Sequence, residues 1–390
     1  MIKTIQTRPA ILFVVLMGVV SLFADVTYEG ARSITGPYLA VLGANAAVVG
    51  VVAGAGELIG YGFRLISGLI SDRTGRYWFV TILGYMINLL AVPALALTGN
   101  WKLAAILIMS ERMGKAIRTP ARDAMLSHAV EEMGSGWGFG LHEAMDQIGA
   151  ILGPLVVMLV LFLKGSYRDC FAVLLIPAIV VIFVLFAARR LYPHPHDLAI
   201  SITRFETKNF SKAFWLYVLG ASLIAAGYAD FPLIAFHFEK AHSVPAIWIP
   251  VFYTIAMGLD AVAALLFGKW FDDRGISVLV LSASLSLFFA PLVFWGGFWA
   301  AMGGMALWGI GMGAHESVMR AAVSRMTQSQ KRGTAFGVFN AFYGVSWFLG
   351  SAAMGICYDR SISFVVLFSM TLQFMAIPLL WTVAQEGRRA

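Results

Sequence analysis

Charged residues are scarce in this chain of 390 residues: Asp, Glu, Lys and Arg make up 13% of it, about half of the share in an average globular protein. Apolar residues account for 59%. So few charges cannot keep so much apolar surface soluble in water. Intrinsic disorder is excluded as well, because disordered chains combine low hydrophobicity with high charge. The composition therefore indicates a protein that folds mostly in lipid.

Cysteines are also few, since Cys170 and Cys357 are the only two. This number excludes a disulfide scaffold and a Cys-rich metal fold, and we expect both thiols to be free. The 7 histidines show no metal-binding spacing such as HExxH. The chain also lacks a G-x-x-x-x-G-K-[ST] phosphate loop and a G-x-S-x-G nucleophile motif. We therefore expect no metal, no cofactor, no ATP-driven step and no enzymatic activity.

Long apolar runs, such as 11–23 and 171–188, fill most of the chain. A membrane-spanning helix needs about 20 mainly apolar residues, so roughly twelve fit this length with room for loops. A β-barrel would show short alternating segments instead. The predicted spans are 9–40, 46–68, 77–98, 101–121, 136–163, 170–188, 212–237, 246–268, 276–296, 298–321, 333–357 and 363–384.

The basic residues predict the orientation of these spans. Most of the 28 Lys and Arg residues fall in loops on the same side as the N-terminus, so the positive-inside rule places both termini in the cytoplasm. The first apolar run, with Lys3 and Arg8 ahead of it, resembles a signal peptide. It has no clear small-residue cleavage pattern, so we interpret it as a retained helix. Anionic lipid headgroups explain the net charge of +7 without a nucleic-acid partner.

Two motifs of the first half recur in the second half in the same order. Residues 68–75 (GLISDRTG) match 268–275 (GKWFDDRG), and 136–153 matches 333–350 at its Gly, Phe-Gly, Ala and Leu-Gly positions. The longest polar stretch, 189–212, lies between the halves. A parallel repeat of six helices is a transporter architecture. The predicted domains are an N-terminal six-helix bundle (1–190), a cytoplasmic linker (191–211) and a C-terminal six-helix bundle (212–390).

The loop Gly68-x-x-x-Asp72-Arg73-x-Gly75-Arg76 resembles the signature between helices two and three of the major facilitator superfamily. Segments 25–29 and 111–123 are similar to a group of bacterial permeases in that superfamily. The resemblance implies an all-α membrane protein of twelve transmembrane helices in two pseudo-symmetric six-helix bundles. It also implies a substrate site between the halves near the bilayer midplane, and a place in the bacterial inner membrane.

The resemblance also implies a gating role for the loop, because in the family this contact closes the cytoplasmic side when the protein opens outward. Asp72 would accept hydrogen bonds at the N-terminal end of a helix in the other half. Arg118 and Arg122 would be partners of Asp72, or basic side chains that reach toward the membrane surface. The alternative is a plain solvated turn. The gating candidates are Gly68, Asp72, Arg73, Gly75, Arg76, Arg118, Arg122, Gly268, Asp272 and Gly275.

Polar and ionisable side chains inside the spans are the candidate substrate and proton sites, since a charge in the bilayer is costly unless it is paired or hydrated. Asp25, Glu29 and Asp230 are the first candidates for the proton, and His142 lies one turn from a carboxylate, which suits a proton switch. The candidates are Asp25, Tyr28, Glu29, Arg32, Glu57, Glu111, Lys115, His142, Glu143, Asp146, Tyr228, Asp230, Trp308, His315, Glu316 and Arg320.

Structural roles remain open for several of these residues. Glu29 with Arg32, and Glu316 with Arg320, lie at helical spacing that suits simple ion pairs. Glu57 shares a helix face with Arg64 and could have the same role. Tyr228 and Trp308 are cavity walls or packing residues, and His142 is a proton switch or a satisfied histidine near the cytoplasmic mouth.

Gly149-x-x-x-Gly153-Pro154 resembles the antiporter motif of exporters, although Val157 and Met158 replace its trailing glycines. General close packing of helices is the alternative.

We therefore predict a secondary transporter that works by alternating access. Proton-coupled antiport that exports a small amphiphilic or charged solute is the leading hypothesis, with the proton as coupling ion, membrane lipid around the chain and a monomeric state. The rival is a proton-coupled symporter that imports a nutrient or a metal chelate. A lipid-modifying membrane enzyme and a receptor are alternatives from other classes.

Overall fold

The computed structural model describes residues 3–131, 135–193, 210–327 and 332–389, which are almost entirely helical. Helices are expected in lipid because they satisfy every backbone N–H and C=O within one segment. Their bounds are α1 Lys3–Val41, α2 Ala46–Thr74, α3 Tyr77–Ala94, α4 Trp101–Glu131, α5 Ser135–Phe162, α6 Tyr167–Val173, α7 Leu175–Leu191, α8 Lys212–Gly227, α9 Phe231–Ala241, α10 Trp248–Arg274, α11 Ser277–Ser286, α12 Phe289–Phe294, α13 Phe298–Met326, α14 Arg332–Arg360 and α15 Ile362–Arg389.

Ten helical segments of the described chain are long and apolar enough to cross a membrane. Three of them, Tyr167–Leu191, Lys212–Ala241 and Ser277–Phe294, each consist of two consecutive helices. The helices α4 and α13 add 31 and 29 residues, which brings the membrane-length segments to the predicted twelve. Helix α4 continues past the predicted end at 121 to Glu131, because a polar helix can extend beyond the apolar part that sequence hydropathy detects.

Many large apolar side chains of these helices are exposed. Phe183 is 73% exposed and Leu265 is 78% exposed. A soluble protein rarely leaves a wide apolar surface uncovered. An outer surface of this kind is what hydrocarbon solvates, so the composition and the three-dimensional structure agree.

By their contacts, the helices form two compact units. The N-terminal unit comprises the described residues of 1–34 and 59–201, and the C-terminal unit comprises those of 35–58 and 202–390. The ends of α1 and α2 that meet at their connecting turn therefore pack with the second half of the sequence. The predicted boundaries at 190 and 212 stay a prediction, and most of the predicted linker lies outside the described residues.

Each unit has a core of interlocked helices. In the N-terminal unit, Phe13, Trp78 and Tyr192 join α1, α3 and the end of α7, and the Trp78 indole N–H donates to the Tyr192 carbonyl at 2.8 Å. In the C-terminal unit, Tyr217 of α8 donates its hydroxyl proton to the Met319 carbonyl of α13 at 2.8 Å. Both cysteines are free thiols.

Candidate functional site

Helices α1 and α5 cross closely in the N-terminal unit. Gly149 and Gly153 pack directly against the α1 backbone, and a Cβ at either position would collide with it. Pro154 follows inside α5. Gly149 also contacts the Cβ of Asp25, so the crossing holds Asp25 against α5, close to Asp146. The glycine spacing thus brings together two carboxylates from different helices.

Asp25 is buried at this crossing, and Asp146 is half-buried. Asp25 is only 5% exposed, and Asp146 is the charged group that repels it most strongly. The Oδ1 atom of Asp146 is buried without a hydrogen-bond partner. Glu29, one turn after Asp25, is buried as well. Two carboxylates that interact in this way repel each other when both are ionised.

Ser21 connects three helices beside this pair. Its Oγ lies 3.0 Å from Nε2 of the buried His142, and it accepts a hydrogen bond from Nη1 of Arg122 at 3.0 Å. Arg122 also pairs with Asp123 through a 2.8 Å contact. Ser21 precedes Asp25 by one helical turn, so both lie on one face of α1. Helices α1, α4 and α5 therefore share one polar network.

Two cations of α4 lie over aromatic rings. The Nζ atom of Lys115 is 3.7 Å from the ring centre of Tyr28, and the guanidinium of Arg118 is 4.2 Å from the ring centre of Tyr85. Arg118 is 1% exposed, and its Nε and Nη1 atoms have no hydrogen-bond acceptor. Lys115 and Arg118 both attract Asp25 electrostatically. We call Asp25, Glu29, Lys115, Arg118 and Asp146 the charge cluster.

Glu111 lies on α4, one turn before Lys115. Its buried carboxylate accepts a hydrogen bond from the Asn88 side chain at 2.8 Å and lies 3.3 Å from Nε of Arg112. Glu111 is therefore held by neighbours in α3 and α4. Its charge is matched locally.

The remaining candidates in the first half are less buried than Asp25 and Glu29. Glu143 is exposed on α5 and accepts a weak hydrogen bond from Gln147 at 3.4 Å. Arg32 is half-buried on α1. Glu57 is half-buried on α2, in the part of the sequence that packs with the C-terminal unit.

The two repeated loops have the same backbone conformation at their last glycine. Gly75 ends α2 with φ 64° and Gly275 ends α10 with φ 60°, values that L side chains rarely adopt. Each glycine N–H donates to a carbonyl of the preceding turn, at 2.9 and 2.8 Å. Asp72, Arg73, Arg76 and Asp272 are exposed, and Gly68 and Gly268 are half-buried. The structure therefore supports the repeat at the level of backbone geometry.

The proposed partners of Asp72 are engaged elsewhere within the N-terminal unit. Asp72 accepts a hydrogen bond from the hydroxyl of Tyr77 at 3.2 Å. Arg118 lies on Tyr85, and Arg122 binds Ser21 and an adjacent carboxylate. The structure does not bring either arginine to Asp72. The gating role of these residues stays a prediction.

The C-terminal unit contains a break in the span Lys212–Ala241, where α8 ends at Gly227 and α9 begins at Phe231. Inside a membrane the freed carbonyls need partners. Ser369 donates to the Gly227 carbonyl at 2.6 Å, and the side chain of Gln373 reaches the same oxygen at 3.4 Å. The indole N–H of Trp308 donates to the Ala229 carbonyl at 2.9 Å.

Asp230 occupies the N-cap position of α9 at this helix break. Its carboxylate is buried and accepts a hydrogen bond from the hydroxyl of Ser351 at 2.6 Å. Ser351 belongs to α14, so the bond ties the start of α9 to another helix. Asp230 is thus a structural contact as well as a candidate for the proton.

Aromatic rings surround the helix break. Tyr228 lies 4.6 Å from His315, 5.8 Å from Trp308 and 6.1 Å from Trp347, measured between ring centres, and its hydroxyl donates to the Trp308 carbonyl. We call these four residues the ring cluster. Both ring nitrogens of His315 and the indole nitrogen of Trp347 are buried without a hydrogen-bond partner. Glu316 and Arg320, one turn apart on α13, are exposed.

The start of α2 packs on α14 within the C-terminal unit. Gly50 and Gly54 of α2 contact the backbone at Phe348 and Ser351. The carboxylate of Asp359 accepts hydrogen bonds from the first two N–H groups of α2, both at 3.0 Å. A carboxylate at a helix N-terminus is favourable because these N–H groups have no partner inside the helix. We call this the α2–α14 contact.

Sequence reasoning missed several polar residues that these arrangements need. The missed residues are Ser21, Tyr85, Asn88, Trp347, Ser351, Asp359, Ser369 and Gln373. A polar uncharged residue within an apolar run is a signal for such a role, but serines and glutamines also bond to their own helix. Only the contacts between helices distinguish the two cases.

Comparison with known proteins places the chain in a family. The model of the Major Facilitator Superfamily matches residues 17–351 and, in a second match, 246–388. The chain belongs to the Major Facilitator Superfamily. The uncharacterized protein Rv2265 of Mycobacterium tuberculosis is 38% identical over 387 residues, which covers 97% of this chain and 95% of that protein. The uncharacterized MFS-type transporter MJ1317 of Methanocaldococcus jannaschii is 27% identical over 377 residues, or 93% and 92% of the two chains.

Solved structures of this superfamily share the fold. The nucleoside transporter NupG matches with a TM-score of 0.76 and 13% identity over 95% of this chain and 98% of its own. A bacterial homologue of the human lysosomal transporter Spinster matches with a TM-score of 0.73 and 13% identity over 97% and 96%. At these identities the likeness shows the fold alone. The predicted superfamily and its twelve-helix fold are confirmed.

Membership determines the general function. This superfamily member is an integral membrane protein and a secondary transporter of small molecules, not an enzyme. Among the described residues, no group of His, Cys, Asp and Glu side chains is arranged to hold a metal ion. Within the described residues, the charge cluster and the ring cluster each bring several buried polar groups together. They are the candidate sites for the coupling ion and the solute.

Proposed function

We propose that this transporter exchanges protons for a small amphiphilic or charged solute and exports that solute. It would work as a monomer in the bacterial inner membrane, with both termini in the cytoplasm. The observation that carries the proposal is the meeting of Asp25 and Asp146 at the α1–α5 crossing, where Asp25 is buried and Asp146 is half-buried. A pair of interacting carboxylates is a site that can bind and release one proton.

The cations of the charge cluster suit this role. Lys115 and Arg118 offset the negative charge of Asp25, yet neither forms a direct ion pair with it; each lies on an aromatic ring instead. A direct ion pair would keep the carboxylate ionised at every working pH. Without a direct ion pair, the carboxylate of Asp25 can bind and release a proton. The net charge of the site then depends on the proton.

Protonation of the pair would alter the balance between the inward-open and outward-open states. A ligand shifts such a balance by the difference between its affinities for the two states. The proton binds the Asp25–Asp146 pair only where the two carboxylates are close, so a change at the α1–α5 crossing changes the affinity. The small residues Gly149 and Gly153 make this crossing tight, and any movement of α1 relative to α5 would separate the carboxylates.

Everted membrane vesicles test the proposal. A proton gradient is imposed and followed with a pH-sensitive dye while amphiphilic cations, anions and zwitterions are added in turn. Antiport predicts that at least one class of solute dissipates the gradient, and that Asp25→Asn removes the response. The exposed Glu386→Gln at the end of α15 serves as a matched carboxylate control and should respond as the wild type. A response that requires the solute and the proton to move in the same direction would establish symport instead.

A further inference from the structure

The ring cluster contains three buried polar atoms that the protein itself leaves without a partner. These are Nδ1 and Nε2 of His315 and Nε1 of Trp347, on side chains that are 6% and 4% exposed. A buried donor or acceptor that is left unpaired loses its hydrogen bonds to water and gains none in return. Unpaired groups are therefore rare in native proteins, and each needs an explanation.

The two neighbouring rings of the cluster show the contrast. Trp308 donates its indole proton to the Ala229 carbonyl, and Tyr228 donates its hydroxyl proton to the Trp308 carbonyl. Their polar atoms hold the helix break in place. The ring nitrogens of His315 and Trp347 have no hydrogen-bond partner, although both rings pack near Tyr228. Tyr228 and Trp308 therefore stabilise the helix break through hydrogen bonds, whereas His315 and Trp347 keep unused hydrogen-bonding groups.

The position in the membrane suits a solute site. Tyr228, His315 and Trp347 each lie near the middle of a membrane-length segment, in α8–α9, α13 and α14. In transporters built from parallel repeats, solute sites lie near the bilayer midplane, and discontinuous helices commonly form them. The helix break beside Tyr228 is a discontinuity of this kind.

The aromatic surface continues along α14. Trp347 packs at 5.6 Å from Tyr343, which lies 5.5 Å from Phe339 at an interplanar angle of 26°. These residues are spaced by four, so they form one stripe on one face of the helix. The stripe is buried among the helices, and the unpaired nitrogens of Trp347 and His315 at its end offer a donor and acceptor set.

We propose that the ring cluster is a binding subsite for a planar heteroaromatic ring whose edge carries both a hydrogen-bond donor and an acceptor. The ring packs beside the aromatic cluster with its edge toward Trp347 and His315. Its acceptor receives the indole proton of Trp347, and its donor or a second acceptor pairs with one nitrogen of His315, which the tautomer of the neutral imidazole makes an acceptor or a donor. This inference names part of the solute for the transport cycle proposed above and rests on that function.

Ligand-observed NMR on the purified full-length protein in detergent tests the subsite without a proton gradient. The probes are adenine, uracil and two analogues of uracil. In 1,3-dimethyluracil the ring stays flat and loses its N–H donors, and in 5,6-dihydrouracil the donors stay and the aromatic plane is lost. We expect adenine and uracil to bind, and each analogue to bind about tenfold more weakly than uracil.

Variants locate the site. His315→Phe and Trp347→Phe keep a ring and remove the nitrogens, so each should weaken uracil binding about tenfold, whereas His315→Gln keeps a donor and an acceptor and should restore part of the affinity. Trp299→Phe, at a tryptophan that is 75% exposed, is the matched control and should bind uracil as the wild type. Thermal unfolding and size-exclusion profiles establish that each variant is folded.

Three outcomes would overturn the subsite. They are no binding of adenine or uracil to the wild type, equal binding of uracil and its two analogues, and wild-type affinity in folded His315→Phe and Trp347→Phe. The proposed function fails separately, because it rests on gradient-driven exchange at Asp25 and not on equilibrium binding. Ring binding without proton exchange would remove the antiport proposal and leave the subsite.

Discussion

The two units of this transporter arrange their buried polar groups differently. The N-terminal unit gathers ionisable side chains of both signs, with Asp25, Asp146 and Arg118 at the α1–α5 and α3–α4 packing. The C-terminal unit buries the carboxylates Asp230 and Asp260, and it also gathers aromatic rings around a broken helix, with Tyr228 at the centre. A sequence repeat and a shared loop conformation relate the two halves, so the difference lies in side chains and not in the underlying helical pattern.

The difference suggests that one unit binds the coupling ion and the other recognises the solute. A charged group inside a membrane changes its energy strongly when it gains or loses a proton, so the N-terminal unit is suited to the coupling ion. Neutral rings change little with the proton and offer a surface of defined shape, so the C-terminal unit is suited to recognition of the solute. The following predictions test this comparison, from the largest expected effect to the smallest.

The largest effect should separate Asp25 from Asp230. We expect Asp25→Asn to reduce gradient-driven flux to background, because the α1–α5 crossing then cannot share a proton between two carboxylates. Asp230→Asn should retain much of the flux, since the amide oxygen of Asn can still accept the hydrogen bond of Ser351. Flux in proteoliposomes at a series of imposed pH differences measures both. Equal loss in the two variants would show that proton binding extends into the C-terminal unit.

The second prediction concerns the contribution of the helix break in the C-terminal unit to the stability of the protein. Ser369→Ala removes the closer donor to the Gly227 carbonyl and leaves only the longer bond from Gln373, so we expect a loss of about 1–2 kcal/mol in the free energy of unfolding. Denaturation in detergent followed by circular dichroism measures this. Ser363→Ala, at an exposed position of the same helix, is the control. If the two variants were equally stable, the break would not depend on its hydrogen-bond partners.

The network around Ser21 should affect both the free energy of unfolding and the pH dependence of transport. Ser21→Ala leaves Arg122 and His142 without their shared partner, and we expect a loss of about 1 kcal/mol together with a changed pH profile of transport. Ser110→Ala is the matched control, because that hydroxyl bonds only to its own helix at the Ile106 carbonyl. A pH profile that stays the same in Ser21→Ala would separate this network from the proton site.

The smallest effect concerns the α2–α14 contact. Asp359→Ala removes the acceptor of the first two N–H groups of α2, which is worth about 0.5–1 kcal/mol at an exposed helix end. Hydrogen exchange of the first turn of α2 should become about two- to fivefold faster, and Asp359→Asn should lie between this variant and the wild type. Unchanged exchange would show that residues 35–58 do not depend on α14, and the assignment of this segment to the C-terminal unit would need revision.

Much of the site in the N-terminal unit could be predicted from the sequence. Asp25 and Asp146 each stand out as acids inside apolar spans, and the spacing of Gly149 and Gly153 indicates a close helix crossing. Their meeting could not be predicted, because the spacing does not say which helix crosses there. Arg118 shows the same limit: the family resemblance implied a partner of Asp72 or a side chain that reaches toward the membrane surface, whereas the structure buries its guanidinium on Tyr85.

Less of the site in the C-terminal unit could be predicted from the sequence. Tyr228, Trp308 and His315 were candidates on residue type alone, in a chain that has 11 Trp and 12 Tyr. Which aromatic nitrogens are bonded and which are free depends on neighbours from other helices. Trp347 was missed for this reason, since nothing in its local sequence distinguishes it from a packing residue.

The sequence by itself determined that this chain spans a membrane as helices, that its two halves repeat, and that it belongs to a family of secondary transporters. These properties depend on composition, periodicity and local motifs, each of which acts within one segment of the chain. Only the tertiary structure decided which buried groups meet. The reason is that helix pairing in lipid is governed by close packing and by the satisfaction of a few polar groups, and both depend on residues far apart in the sequence.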